Sequence, residues 1–217
     1  MASSSVPPWI WAAGAAAAVL LLPKAVQAAV PPSDPVKKKS SGGRSDVSPL
    51  SASKIQPYLP LVQRAVARHT EYTWGRVGSG DTSLLVGLLW HESRFDPAAV
   101  SWTGAAGIGQ FTGIGRAEVR RLMTLSQWSD RYADSAGLAA KLSAFDKDMA
   151  FVADIGIEAS ALLLASLIRK WSGNIEAALT DYNAGGIPAG IVAKRGSHAA
   201  AKAELERLPD NQISQSP

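Results

Sequence analysis

The stretch "LLWHESRFDPAAVSWTGAAGIGQF", Leu88 to Phe111, sets a glutamate at the end of an apolar run and follows it with Asp-Pro, a glycine-rich segment and a glutamine. Upstream, "DTSLLVGLLWHESRF" from Asp81 carries apolar residues at helical spacing. Leu85, Leu88, Leu89 and Glu92 fall at i, i+3, i+4 and i+7 and therefore share a face. A carboxylate one turn beyond three leucines is expected at the margin of a core. Partial desolvation there disfavours a charged form, and a carboxyl kept protonated near neutrality is what a general acid needs. Spacing alone leaves the alternative open that Glu92 simply ends its helix and bends to solvent. His91 lies about 100° around the helix from Glu92 and is expected outside any cleft that Glu92 faces. Trp90 is expected to pack in the core.

Pro97 disfavours helical geometry at Asp96, so the helix should stop there. Asp96 then reads as a turn-stabilising aspartate, with a second carboxylate four residues after Glu92 as the alternative. "GAAGIG", residues 104–109, allows the backbone a close approach to another group, and Gln110 supplies an amide just after it. A phosphate cradle is excluded, since neither a Gly-Lys-Ser/Thr nor a preceding strand accompanies the glycines.

The remainder reads as helix. Ile55, Tyr58, Leu59, Leu61, Val62 and Val66 follow a helical pattern that Pro57 and Pro60 delay. "IGRAEVRRLMTL" predicts a further helix, and "AFDKDMAFVADIGIEASALLLASLIRKWSG" a long one entered through a looser segment. "NIEAALTDYNAG" predicts another, capped by Asn174, with Gly173 and Gly185 as stops. No period-two strand pattern and no internal repeat is present. The fold class is mainly α, with a domain over residues 54–195 and a C-terminal helix and polar tail over 196–217.

Of the net charge of +4, residues 1–52 carry +3, from Lys24, Lys37, Lys38, Lys39 and Arg44 against Asp34 and Asp46. A near-neutral domain disfavours a nucleic-acid partner, which requires clustered cations on the folded surface. With no cysteine in 217 residues, disulfides, thiolate metal sites and cysteine nucleophiles are excluded. His69, His91 and His198 lack metal-ligand spacing, so neither a metal nor another cofactor is expected.

Glu92-Ser93, Phe95, Pro97, Ala99, Ser101, Gly104-Ala105, Gly107 and Gln110 resemble the "ESxFxPxAxSxxGAxGxxQ" block of the soluble lytic transglycosylases, a lysozyme-like family that cleaves peptidoglycan. "DYNAG", Asp181 to Gly185, is similar to that family's "AYNAG" block, and "RKWSGNIEAAL" to the helix-then-"GN" segment before it. The resemblance covers about Asp81 to Gly186. It implies a lysozyme-like helical domain with a central cleft, and a glycan strand of peptidoglycan as substrate. Glu92 would be the single catalytic acid/base, and Ser101 and Gln110 would line the cleft and hold sugar substituents. Tyr182 would hydrogen-bond the glutamate, and Asn183 would stabilise that corner's backbone. Trp102, in the loop before "GAAG", would be placed to stack on a sugar. Two departures stand out: Gly109, where the family often has Leu-Met before the glutamine, and Asp181, where it usually has alanine. Asp181 adds an acid beside Tyr182 and keeps a two-carboxylate hydrolysis open as an alternative, as does a non-catalytic glycan-binding component of a secretion machine or a phage particle.

Residues 9–22, "WIWAAGAAAAVLLL", have the length of a signal-peptide core, with small residues after them up to Ala28. No Lys or Arg precedes the run while several follow it, which reverses the usual charge bias and makes a membrane-associated segment the competing reading. Residues 31–53, rich in Pro, Ser, Gly and Lys, read as a flexible linker. Export to the periplasm or cell envelope is expected, with a phage virion as the alternative setting.

Overall fold

A computed structural model of the chain describes residues 49–73 and 82–208. The apolar run at 9–22, most of the expected linker, "GRVGSGD" and the end of the polar tail lie outside the described residues. Eleven α-helices occur among the described ones: α1 (Pro49–Ile55), α2 (Leu59–Ala67), α3 (Ser83–Ser93), α4 (Gly113–Met123), α5 (Ser126–Ser129), α6 (Ala136–Ser143), α7 (Lys147–Ala150), α8 (Ala153–Lys170), α9 (Ile175–Ala184), α10 (Gly186–Arg195) and α11 (His198–Leu205). Short 3₁₀ turns at Gln56–Tyr58, Thr70–Thr73 and Asp130–Tyr132 link some of them. Among the described residues there is no extended strand, only isolated bridges pairing Val100 with Ala106 and Ala106 with Phe111.

The domain is built around α8. Ile155, Ile157, Leu162, Leu164 and Ile168 on this helix are buried, and so are the small residues Gly156, Ala159, Ser160, Ala161 and Ala165 between them. Small side chains on the remaining faces let neighbouring helices close in from several directions, and α2, α3, α4, α6, α7 and α9 all pack on it. The looser entry expected before this helix is the break at Phe151-Val152, between α7 and α8.

Leu84, Leu85, Val86, Leu88 and Leu89 of α3 are all buried. The sequence pattern led us to expect a one-sided apolar stripe, but Leu84 and Val86 are buried on the other faces as well. Helix α3 is therefore an inner element of the fold. Its end is abrupt. Arg94 and Phe95 adopt left-handed φ angles of 57° and 60°, a conformation that costs a non-glycine residue of order 1–2 kcal/mol. Compensation is visible on both. The Arg94 guanidinium lies 5.1 Å from the Trp90 ring centroid and donates to the Trp90 carbonyl at 3.1 Å. Phe95 is buried and stacks on Tyr58 at 5.7 Å.

Asn174 caps α9, its side chain accepting from the Ala177 N–H at 3.0 Å, and Gly173 and Gly185 follow the expected stops with positive φ. Helix α10 then starts directly at Gly186, with Pro188 in its first turn where a missing N–H costs nothing. The helix expected in the C-terminal segment is α11, and it is packed: Ala201 and Leu205 are buried with Ala177 and Val192 in a second, smaller apolar cluster.

Among the described residues, the carboxylates of Glu71 and Glu158 are fully buried. Glu158, in mid-α8, meets Arg64 Nε at 3.2 Å and Arg68 Nε at 3.6 Å. Burial pushes its carboxyl up, against the opposing pull of those arginines. Glu71 accepts two hydrogen bonds from Arg131. Burial would raise its carboxyl too, but the Arg131 bonds and charge outweigh this and hold it low. Beside Glu71, the buried His69 accepts from Arg131 at Nδ1 and meets the Tyr132 hydroxyl through Nε2, both at 3.1 Å.

Burial, and then the charges of Arg131 and Arg68 against the opposing Glu71, depress His69 from its usual 6.5 to about 3. Between those values the unfolded chain binds a proton that the native state refuses, so this group's contribution to stability falls as pH falls through that window. The slope is about 1.4 kcal/mol per pH unit. Denaturant melts from pH 6.5 to 4.5 should show a steeper loss in the parent than in His69→Gln, which has no ring to titrate. Glu71 adds a loss in the same direction at lower pH and Glu158 one of opposite sign, and both are retained in the variant. Parallel stability curves for parent and variant would refute the assignment.

Candidate active site

The loop from Asp96 to Phe111 folds back onto the end of α3. Asp96 Oδ1 accepts from the Ala98 N–H at 2.9 Å, forming the turn expected after Phe95. The chain then makes a small hairpin. Ser101 N–H donates to the Ala105 carbonyl, Gly104 N–H to that of Ser101, and Ala106 and Phe111 exchange both their backbone bonds. Trp102 projects from the tip of this hairpin and is 95% exposed. Ser93, next to Glu92, ties the hairpin to α3 through a 2.8 Å bond from its hydroxyl to the Ile108 carbonyl.

Two glycines make this fit possible. Gly107 has φ +76°, and a Cβ there would stand 1.8 Å from the Ala150 carbonyl oxygen at the end of α7. A Cβ on Gly109 would stand 2.2 Å from Ser160 Oγ and 3.1 Å from the Tyr182 hydroxyl. The sequence marked Gly109 as a departure without giving a reason for it. The space a side chain would need is taken by Ser160 and Tyr182, from helices far along the chain.

Each expected site residue can now be placed. The Glu92 side chain is only 11% exposed, and its Oε1 is buried without a hydrogen-bond partner among the described residues. Tyr182 comes from α9. Burial raises its phenol well above the usual range, and the nearby Glu92 charge raises it further, so the two groups lie within electrostatic reach. The expected hydrogen bond between them is not formed. The Tyr182 hydroxyl donates to the Gly109 carbonyl at 3.0 Å, with Ser160 Oγ at 3.4 Å. A phenol has one proton to give, and Gly109, lacking a side chain, leaves its carbonyl open to receive it.

Gln110 lies at the base of the hairpin, and its amide nitrogen donates to the carbonyls of Ala99 and Gly107 at 3.2 and 2.8 Å. Both of its N–H donors hold the loop, and its side-chain oxygen is what remains to offer a ligand. Ser101 is similarly engaged: its hydroxyl accepts from the Ala105 N–H and meets Thr103 Oγ1 at 2.8 Å. Asn183 donates to the Leu179 carbonyl one turn back at 3.1 Å, within α9.

Asp181, the second departure, is committed elsewhere. Its Oδ2 accepts from both Lys170 Nζ and Trp171 Nε1 at 2.8 Å, pinning the start of α9's last turn to the end of α8. From Tyr182, a cavity of about 530 Å³ opens between α4, α5 and the C-terminal half of α8. Its walls carry Thr112, Ile114, Leu163 and Leu167, and its rim the charged pairs Glu118–Arg121 and Lys170–Asp181. Tyr182 lines this cavity, whereas Glu92, Ser101, Gln110 and Asn183 do not.

His91 comes closer to Glu92 than its place around the helix suggests. Its Nδ1 lies 3.7 Å from Glu92 Oε1. Side chains one position apart do not face each other along a regular helix, but these two lie in its last turn, where they can bend towards each other. Ser160 could not have been found either, since its role depends on a contact across 22 residues of sequence.

No curated protein and no solved structure matches the chain. Residues 73–205 match the family model described as the transglycosylase SLT domain. The acid at the end of an inner helix, the glycine-shaped hairpin closing on it and the tyrosine of the later block all lie within that match, and the chain belongs to the SLT family, whose chemistry is lytic-transglycosylase cleavage of peptidoglycan.

Proposed function

We propose that this protein cleaves the β-1,4 bond between N-acetylmuramic acid and N-acetylglucosamine and releases 1,6-anhydro products, with Glu92 as the only acid/base. The observation that carries the proposal is Glu92 itself, largely buried in the last turn of α3 beside Tyr182, while both other acids that the sequence offered are tied up. Asp96 holds a turn and Asp181 holds Lys170 and Trp171. Two-carboxylate hydrolysis needs a second group free to act on water or on C1.

Glu92 protonates the bridging oxygen as the C1–O bond breaks, which frees the glucosamine 4-hydroxyl and leaves Glu92 ionised. The muramic acid 2-acetamido group supports the oxocarbenium-like centre. Glu92 then takes the proton of the muramic acid C6 hydroxyl as that oxygen bonds to C1. The proton count closes and no water is consumed. In this reading Gln110 meets the sugars through its remaining side-chain oxygen, while Ser101, Tyr182 and Asn183 shape the hairpin and α9 beside them.

Action on the wall implies an exported or envelope-associated protein. In this reading residues 1–30 are the exporting or membrane-associated segment, 31–53 a linker and 54–195 the catalytic domain, with 196–217 following it. A secretion apparatus and a virion are the two competing settings for such local opening of the wall. The test is mass analysis of muropeptides released from purified sacculi. Products one water lighter than the hydrolytic ones are expected. Ordinary reducing ends would establish a muramidase instead, and no release at all a glycan-binding component.

A further inference from the structure

We propose that His91 is a positioning residue for the reaction, donating a hydrogen bond from Nδ1 to Glu92 Oε1 while the glutamate is ionised between its two proton transfers. The inference rests on the transglycosylase reading above. Both atoms are buried, neither has a hydrogen-bond partner among the described residues, and they are 3.7 Å apart. That separation is just beyond hydrogen-bond length, within reach of a small side-chain rotation.

Burying two polar atoms without partners is costly, and a donor facing an acceptor removes both costs at once. The gain differs between the two states of the glutamate. A bond to a carboxylate is roughly twice as strong as one to a neutral carboxyl, so the contact is strongest in the interval after the glycosidic oxygen has taken its proton. Fixing Oε1 also fixes Oε2, the oxygen left to exchange a proton with the substrate. Three other donors on or near the end of α3 are engaged among the described residues. The Tyr182 proton is given to Gly109, Ser93 donates to Ile108, and Arg94 is stacked on Trp90 and bonded to its carbonyl. His91 itself lies on α3 and reaches no sugar in this role, so it acts through Glu92.

The test compares His91→Phe and His91→Asn in the full chain, with anhydro-muropeptide release measured over a range of sacculus concentrations. Phenylalanine keeps the ring and removes the donor, whereas asparagine keeps an N–H near the position of Nδ1. His91→Phe should lower kcat by about tenfold or more with KM within about twofold, and His91→Asn should stay within about threefold of the parent. If the phenylalanine variant does not fold, His91→Ala gives the same comparison. An unchanged kcat in the donor-less variant, a loss confined to KM, or a folded His91→Asn as slow as His91→Phe would each overturn the proposal. A parent protein that releases no anhydro product would instead refute the reading on which it rests.

Discussion

Replacing Glu92 with glutamine is expected to abolish nearly all release of anhydro-muropeptides, a loss of about a hundred- to ten-thousand-fold, with the melting temperature essentially unchanged. Glutamine has the shape of the glutamate, and the side chain has no hydrogen bond at Oε1 to lose, so folding is barely touched. The chemistry is lost twice over. An amide has no acidic proton for the glycosidic oxygen and no basic site for the proton of the C6 hydroxyl. The neighbouring acids cannot take over, because Asp181 is fixed by Lys170 and Trp171 and Asp96 by its own turn. A Glu92→Gln protein that cut sacculi at the parent's rate would remove Glu92 from the mechanism.

The largest structural effect is expected at Gly107. Gly107→Ala would drive a Cβ to 1.8 Å from the Ala150 carbonyl oxygen while forcing an L side chain to φ +76°. The oxygen belongs to backbone at the end of α7, just before the central helix, so it cannot swing aside as a side-chain tip could. Relief requires the hairpin to move away from α7, which strains the Ser93 bond to Ile108 and the packing of the buried Ile108 and Phe111. A loss of about 4 kcal/mol or more is expected, most of a domain's margin, with little soluble protein as the outcome. Gly104→Ala is the control. Its φ is also positive, at +85°, but nothing lies within 4 Å of the added carbon, so it should lose only about 1 kcal/mol. Thermal melting of the two variants separates close approach from backbone strain, and equal losses would contradict the geometry.

The helices around the site were legible because their signals are local. The apolar spacing before Glu92, the Asp-Pro stop, the Asn174 cap and the Gly173 and Gly185 ends each need only a few neighbouring residues. The depth of α3 was not legible, because a helix that is apolar on one face and a helix buried on every face can both carry Leu85, Leu88 and Leu89 on one stripe. Nor was the burial of Glu158 legible, since it depends on the approach of Arg64 in α2 and Arg68 just after it, some 90 residues away in sequence. Within the site, the candidate residues came from motif resemblance. Their contacts did not, since Tyr182 chooses Gly109 over Glu92 through a vacated side-chain position, and His91 comes within 3.7 Å of Glu92 although the two are adjacent in sequence.

Helix α3 has five side chains in the core and lies between α2 and α8. Its buried stretch, Leu84 to Leu89, can open only by disturbing packing on which the rest of the domain depends, so its opening free energy approaches that of global unfolding. Heat and denaturant should therefore leave no half-loosened form with a misaimed acid: the population divides into molecules that are fully competent and molecules that have come apart.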